Sequence, residues 1–288
     1  MNIDLQTKIF TKKVPLQTQD VRPVAQPFAR NRLDLRTFRS MLLLFLVGFL
    51  ASAPLISQTV AERGAQILAR IDQLSNFDDR DFSAVYTIVA DRPGEDQSVT
   101  QARLFRRDRA NQFVILILQP QVQRGQGYLQ IDDTIWFYDP ESRRFERSSL
   151  RDTIQNSDAQ NNDLTQSTYS EDYRVTSITE GTLGAFQVYI MDLEAKRSDV
   201  TYARTRLWVR RDVNLVLKEE NYSVNNRLLR TILIPRYVSF GDRFLPTQIL
   251  IVDEVNVGQR TQLTVANPSV DPIPDVVFTR QYLERVSN

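Results

Sequence analysis

The sequence predicts a mostly β protein (α+β), with a curved antiparallel sheet forming an incomplete β-barrel under a helical lid. Three observations carry this. Apolar residues alternate with period two over one segment after another, short polar turns separate those segments, and one amphipathic helix precedes them. About ten strands with one or two such helices make a highly curved sheet, whose concave face must close or be covered. A helix over the mouth covers it and leaves an apolar cavity, a common ligand site in barrels and clefts.

The chain opens with an unpatterned stretch. Residues 1–40 hold eight basic and three acidic residues, a net of +5, which leaves the remainder at −4. Arg30, Arg32, Arg36 and Arg39 precede the apolar run Met41–Ile56, and small residues follow. A basic region, a short apolar run and a small-x-small site form the pattern of a secretory signal peptide. The strongly apolar part, Met41–Ala51, is shorter than the roughly 20 residues of a spanning helix. Thr59-Val60-Ala61 offers a cleavage site that starts the mature chain near Glu62, and Leu55-Ile56-Ser57 is the weaker option. Residues 1–61 are therefore read as N-terminal extension and signal peptide. The expected location is the periplasm, with an uncleaved membrane anchor as the alternative.

Thr59–Phe77 reads as a helix. Thr59 followed three residues on by Glu62 is a capping-box pattern. Ile67, Leu68, Ile71 and Leu74 share one face and form the expected lid, while Glu62, Arg63, Arg70 and Asp72 fall mostly on the other. Strands follow at Asp81–Ala90, Val99–Arg107 and Phe113–Leu118, the last apolar on both faces and so expected to be covered on both. Gly127–Ile131 and Thr134–Tyr138 flank the turn residues Asp132-Asp133, and Phe145–Ser148 returns after Asp139–Ser142. Residues 149–172 are polar and aperiodic, a long loop with a short helix, of the kind that is functional or mobile. Seven more strands run from Tyr173 to Val265, joined at Arg211-Asp212, Asn225-Asn226 and Gly241-Asp242. The proline-rich 267–275 is an extended connection, and Val276–Val286 is a last strand or short helix.

Composition excludes much chemistry. The chain has no Cys and no His. That removes disulfides, thiolate catalysis, Cys-ligated metals and Ser–His–Asp hydrolysis. No G-x-G-x-x-G or Walker A motif occurs among the nine scattered glycines. The mildly acidic body gives nucleic acid little electrostatic support. No cofactor and no metal are expected. Asp132-Asp133 is explained by turn chemistry, and adjacent strand residues point to opposite faces, so neither this pair nor Glu171-Asp172 supplies two facing carboxyls.

One combination of motifs is more specific. Gly125-Gln126-Gly127-Tyr128-Leu129-Gln130-Ile131, then Asp133-Thr134-Ile135-Trp136-Phe137-Tyr138-Asp139-Pro140, resembles the LolA-like family of outer-membrane lipoprotein-sorting proteins. That family typically has a small-residue turn, a strand, a "W-x-Y-x-P" strand and a basic segment, here Glu141–Arg147. Thr168–Tyr173 looks like its "F-S-Y-E-D-L" stretch, and Gln119-Pro120 fits the end of its "F-x-x-P" strand. The resemblance covers most of residues 62–288, which are read as one domain. The chain departs from the pattern in having Asn161-Asn162-Asp163 in place of small residues and Phe137 in place of Leu. The resemblance implies an unclosed barrel with a helical lid, and a non-enzymatic, extracytoplasmic role in moving lipid-modified cargo to the outer membrane. Some relatives act beside membrane transporters instead.

Phe113, Ile115, Ile117, Leu129, Ile131, Ile135, Phe137, Leu207 and Val209 are the candidates to line an acyl cavity, against the commoner role of plain core. Ile117→Asp or Leu129→Asp is expected to abolish lipid retention if those residues face it. Trp136 and Tyr138 point the same way along one strand, suited either to a half-wet cavity mouth or to a cross-strand pair. Arg143, Arg144 and Arg147 are candidate partner contacts, against the commoner role of charges that discourage edge aggregation. The expected partners are lipoprotein acyl chains or phospholipid, an inner-membrane transporter and an outer-membrane acceptor, met by a monomer. A transporter adaptor and a carboxylate-based hydrolase are the competing functions.

Overall fold

A computed structural model describes residues 59–287 of the chain. The signal-like stretch Met41–Ile56 and the rest of residues 1–58 lie outside the described residues.

Helix α1 spans Val60–Ser75. Its capping box is complete. The Thr59 hydroxyl accepts from the Glu62 amide at 3.2 Å, and the Glu62 carboxylate accepts from the Thr59 amide at 2.9 Å. The buried face holds Gly64, Ile67, Leu68, Ile71, Asp72 and Leu74. Asp72 thus lies inward, where periodicity placed it mostly with the polar face. Its carboxylate accepts from the Ser167 hydroxyl at 2.5 Å and from the Tyr169 and Ser170 amides at 3.1 and 2.8 Å. It thereby satisfies the open N–H groups of the one-turn helix α2, Tyr169–Asp172.

Thirteen strands follow, more than the count of about ten. They are β1 Phe82–Asp91, β2 Ser98–Arg107, β3 Gln112–Gln119, β4 Gly127–Ile131, β5 Thr134–Asp139 and β6 Arg144–Ser148; then β7 Tyr173–Leu183, β8 Phe186–Ala195, β9 Arg204–Arg210, β10 Val216–Tyr222, β11 Leu228–Phe240, β12 Arg243–Asp253 and β13 Arg260–Ser269. The first six form one antiparallel meander and the last seven another. They join where β1 pairs with β13. The order runs from β6 through β1 and β13 to β7, so β6 and β7 are edges and the sheet does not close. Short hairpins impose this topology. Their tips use left-handed residues where the sequence placed turns, among them Asp132, Asn226 and Gly241.

Strand alternation sorts side chains to the two faces. In β1, residues Phe82, Ala84, Tyr86, Ile88 and Ala90 are buried on the concave side. β3 is buried on both sides, as its sequence requires. Phe113, Ile115 and Ile117 join the concave cluster, while Val114 and Leu116 join a second cluster on the outer face. The C-terminal segment covers that outer face. A 3-10 turn at Asp275–Phe278 and helix α3, Arg280–Val286, lay Ile273, Val277, Phe278 and Leu283 over β3–β5. The open question at Val276–Val286 is thus resolved as helix. Gly127 permits the approach: a Cβ there would stand 2.9 Å from a Leu283 methyl.

Candidate functional site

The concave face is the largest apolar surface the sheet builds. Phe113, Ile115, Ile117 and Ile135 lie there with Phe137 packed against them, beside Tyr86, Ile88, Leu104, Ile249, Ile251 and Leu263 from neighbouring strands. Leu207 and Val209 lie in an adjoining cluster under α1, with Ile67, Leu68, Ile71, Val175 and Met191. Ile234 packs against both clusters. Leu74, the fourth candidate lid residue, is buried too. α1 sits very close to β7: a Cβ on Gly64 would meet the Val175 side chain at 2.5 Å.

Two candidates lie elsewhere. Leu129 and Ile131 belong to the outer cluster, against the C-terminal segment. Strand parity explains this, since Tyr128, the residue before Leu129, takes the concave position and Leu129 and Ile131 fall on the other face. Trp136 and Tyr138 share that outer face rather than a concave mouth. Arg280 stacks on Trp136 at 3.9 Å, and Tyr138 packs on Phe145 at 4.6 Å. Arg143, Arg144 and Arg147 are exposed around edge strand β6 and pair with no carboxylate among the described residues.

The polar stretch 149–172 connects the two edge strands and crosses the concave face. Three of its apolar residues, Ile154, Ala159 and Leu164, are wholly buried in the concave cluster, while Leu150 is exposed. Their neighbours fasten the crossing to several strands. Tyr128 of β4 donates its hydroxyl proton to the Thr153 carbonyl at 3.2 Å. The Thr261 hydroxyl of β13 takes part in two hydrogen bonds with Asp158 at 2.9 Å, accepting from its amide and donating to its carboxylate. Arg106 of β2 donates to the Thr165 carbonyl at 3.0 Å. Buried Arg230 of β11 grips both Asp163 oxygens at 2.8 and 2.9 Å. The seat is imperfect. Asn161 Oδ1, Asn162 Oδ1 and Arg230 Nε are buried without a hydrogen-bond partner. Each such group costs about 1–3 kcal/mol. The three apolar residues at intervals of five were the sequence signal that this stretch lies inside, and reading it as polar loop missed them.

A second polar group lies where α2 meets the sheet. Glu219 is partly accessible along its length but carries its carboxyl inward. It accepts from the Tyr169 hydroxyl at 2.5 Å and from the Asn221 amide at 2.6 Å. Burial raises its pKa above the ordinary carboxylate range, more than those two donors lower it. Burial and the Glu219 charge likewise raise Tyr169. At the end of α1, burial pushes the Asp108 carboxyl up, but the Arg106 guanidinium at 2.5 Å outweighs this and holds it low. Glu171 and Asp172 flank Arg197, at 3.6 and 2.8 Å. No cluster of three metal-ligating side chains exists among the described residues. What the face offers chemically is apolar burial behind a closed polar strap.

A family model described as "Uncharacterized protein" matches residues 109–285, more than half of the chain. The chain belongs to this family. Members of the LolA superfamily share its architecture. A LolA superfamily protein from Nitrosomonas europaea is 23% identical, with TM-score 0.68, over 78% of this chain and 100% of its own. A DUF1329 family protein from Desulfovibrio piger is 21% identical with TM-score 0.70, at the same coverage of both chains. A protein domain from Vibrio parahaemolyticus named for outer membrane lipoprotein sorting is 19% identical, again with TM-score 0.70 and that coverage. The family member described here therefore has the LolA-like open-barrel fold. A search of curated proteins gave no significant match. No helix among its described residues is long and apolar enough to cross a membrane, which says nothing of membrane β-barrels.

Proposed function

We propose that this protein is a non-catalytic periplasmic carrier, which holds the acyl chains of lipoproteins or lipids on the concave face and moves them toward the outer membrane. The observation that carries this reading is the strap. A polar segment places three separate apolar side chains into a cluster built from β1–β5 and β11–β13, and leaves buried polar atoms unpaired in doing so. A cargo chain that displaces it gains about 0.8 kcal/mol for each methylene buried. It also returns the unpaired groups of the strap to water. α1 moves with the strap, since Asp72 holds Ser167 and Tyr169. The lid of the sequence reading is thus helix and strap together. With no nucleotide motif in the chain, the work of loading falls to a donor in the inner membrane or to a gradient of affinity ending at an outer-membrane acceptor.

The same filled interior favours a second reading, an adaptor of an inner-membrane transporter whose core never empties. Mass spectrometry of the protein purified from periplasm without detergent separates the two, run under native and then denaturing conditions. The carrier is expected with lipoprotein or phospholipid at close to one per chain, lost in Ile117→Asp. An empty wild-type protein that co-purifies with a membrane complex would overturn the carrier and support the adaptor.

A further inference from the structure

The outer face carries a groove that the carrier reading does not use. It lies between the outward side chains of β1 and β2 and the segment 271–277, with a volume of about 400 Å³. That is within the size range of small-molecule sites, roughly 300–1,000 Å³. The sheet is irregular here. The β1–β13 register shifts between Ser83 and Val85, and Asn267 is left-handed at φ 51°. Such bulges turn a strand aside and open space next to functional sites.

The far wall is held rigidly. The buried Asp81 carboxylate accepts from the Ile273 amide at 2.8 Å and from Arg107 at 3.0 Å. Arg107 in turn donates to the Ile273 carbonyl at 2.5 Å, pairs with Asp275 at 2.6 Å and stacks on Phe278 at 4.6 Å. A wall fixed before binding loses little entropy on binding.

Within the groove, Phe105 and Tyr282 meet edge to face at 6.1 Å, with Val85 beside them on the floor. Arg103, the cation that lines it, is exposed and pairs with no carboxylate among the described residues. The carboxylate there, Asp271, already accepts from the Ser269 hydroxyl at 2.6 Å. A free guanidinium next to an aromatic floor complements an anion with a non-polar body. We infer that this groove binds a small organic carboxylate with an apolar body, its carboxylate on Arg103 and its body against Phe105 and Tyr282. The site lies on the opposite face from the strap and does not depend on the carrier reading.

The test titrates octanoate, and octanamide as its uncharged counterpart, into the exported chain while backbone resonances are followed. Octanoate is expected to bind with a Kd below about 1 mM, shifting Val85, Phe105 and Tyr282. Octanamide should bind at least about tenfold more weakly, for lack of the charge-assisted bond. Arg103→Gln should bring octanoate down to the octanamide level, and Ser83→Phe, which fills the floor, should abolish both. Equal binding of the two probes, no effect of Arg103→Gln, or no binding would overturn the site. Shifts at Ile154 and Leu164 in place of the groove would also overturn it, while supporting uptake on the concave face.

Discussion

Glu219 is a carboxylic acid enclosed with phenols. Its raised pKa means that the folded chain keeps a proton which the unfolded chain releases. Where the unfolded state binds fewer protons, stability falls as pH rises. The loss begins near the ordinary Glu value of 4.5 and ends at the raised folded value. Above it the folded state carries a buried charge. Glu219→Gln removes that charge and keeps an acceptor for Tyr169. Its new amide nitrogen stands where an oxygen accepted from Asn221 Nδ2, and a flip of the Asn221 amide brings its unpaired Oδ1 round to accept from it. Urea unfolding across this range should show a decline in the wild type that is absent in the Gln variant, with the variant at least as stable at pH 8. A wild type and a variant with parallel pH profiles would show that Glu219 titrates normally.

At the scale of elements, helix α1 begins with a cap that depends on Thr59. Processing after Ala61 removes this cap, at about 1 kcal/mol. Processing after Ser57 keeps it. If the chain is exported and its signal cleaved, we expect it to start at Gln58, and its intact mass decides the point; a start at Glu62 would show that the helix tolerates an uncapped end. The capping box, the lid face and the hairpins were all legible in the sequence, because each rests on near neighbours in the chain. Which face of a doubly apolar strand looks inward was not. Leu129 and Ile131 differ from Ile115 and Ile117 only in the parity of β4 against β3, and a long-range register sets that parity. Asp72 was misread for a related reason, since its partners Ser167 and Tyr169 lie over ninety residues away. The strap shows the same limit. Its overall composition fits a solvated loop, and the spaced Ile154, Ala159 and Leu164, with the need to run from one sheet edge to the other, send it across the interior.

The whole molecule is an open sheet whose two halves are covered differently. α1 packs on the β7 side, and the strap fills the side built from β1–β5 and β11–β13. If acyl cargo takes the place of the strap, tying the strap down must stop loading without touching the apolar face. Asp158 and Thr261 meet through two hydrogen bonds of 2.9 Å, which makes them the pair at which to tie the strap to the sheet with a disulfide. A chain without cysteine accepts an engineered pair with no competing thiols. Asp158→Cys with Thr261→Cys, oxidised after purification in the empty state, leaves the open form almost unpopulated. Apparent affinity scales with the population of the competent form, so lipid uptake should drop by at least about tenfold. Reduction should restore it, which controls for the lost hydrogen bonds. Equal uptake by the oxidised and reduced forms would mean that cargo binds with the strap in place, and the concave face would then be ordinary core.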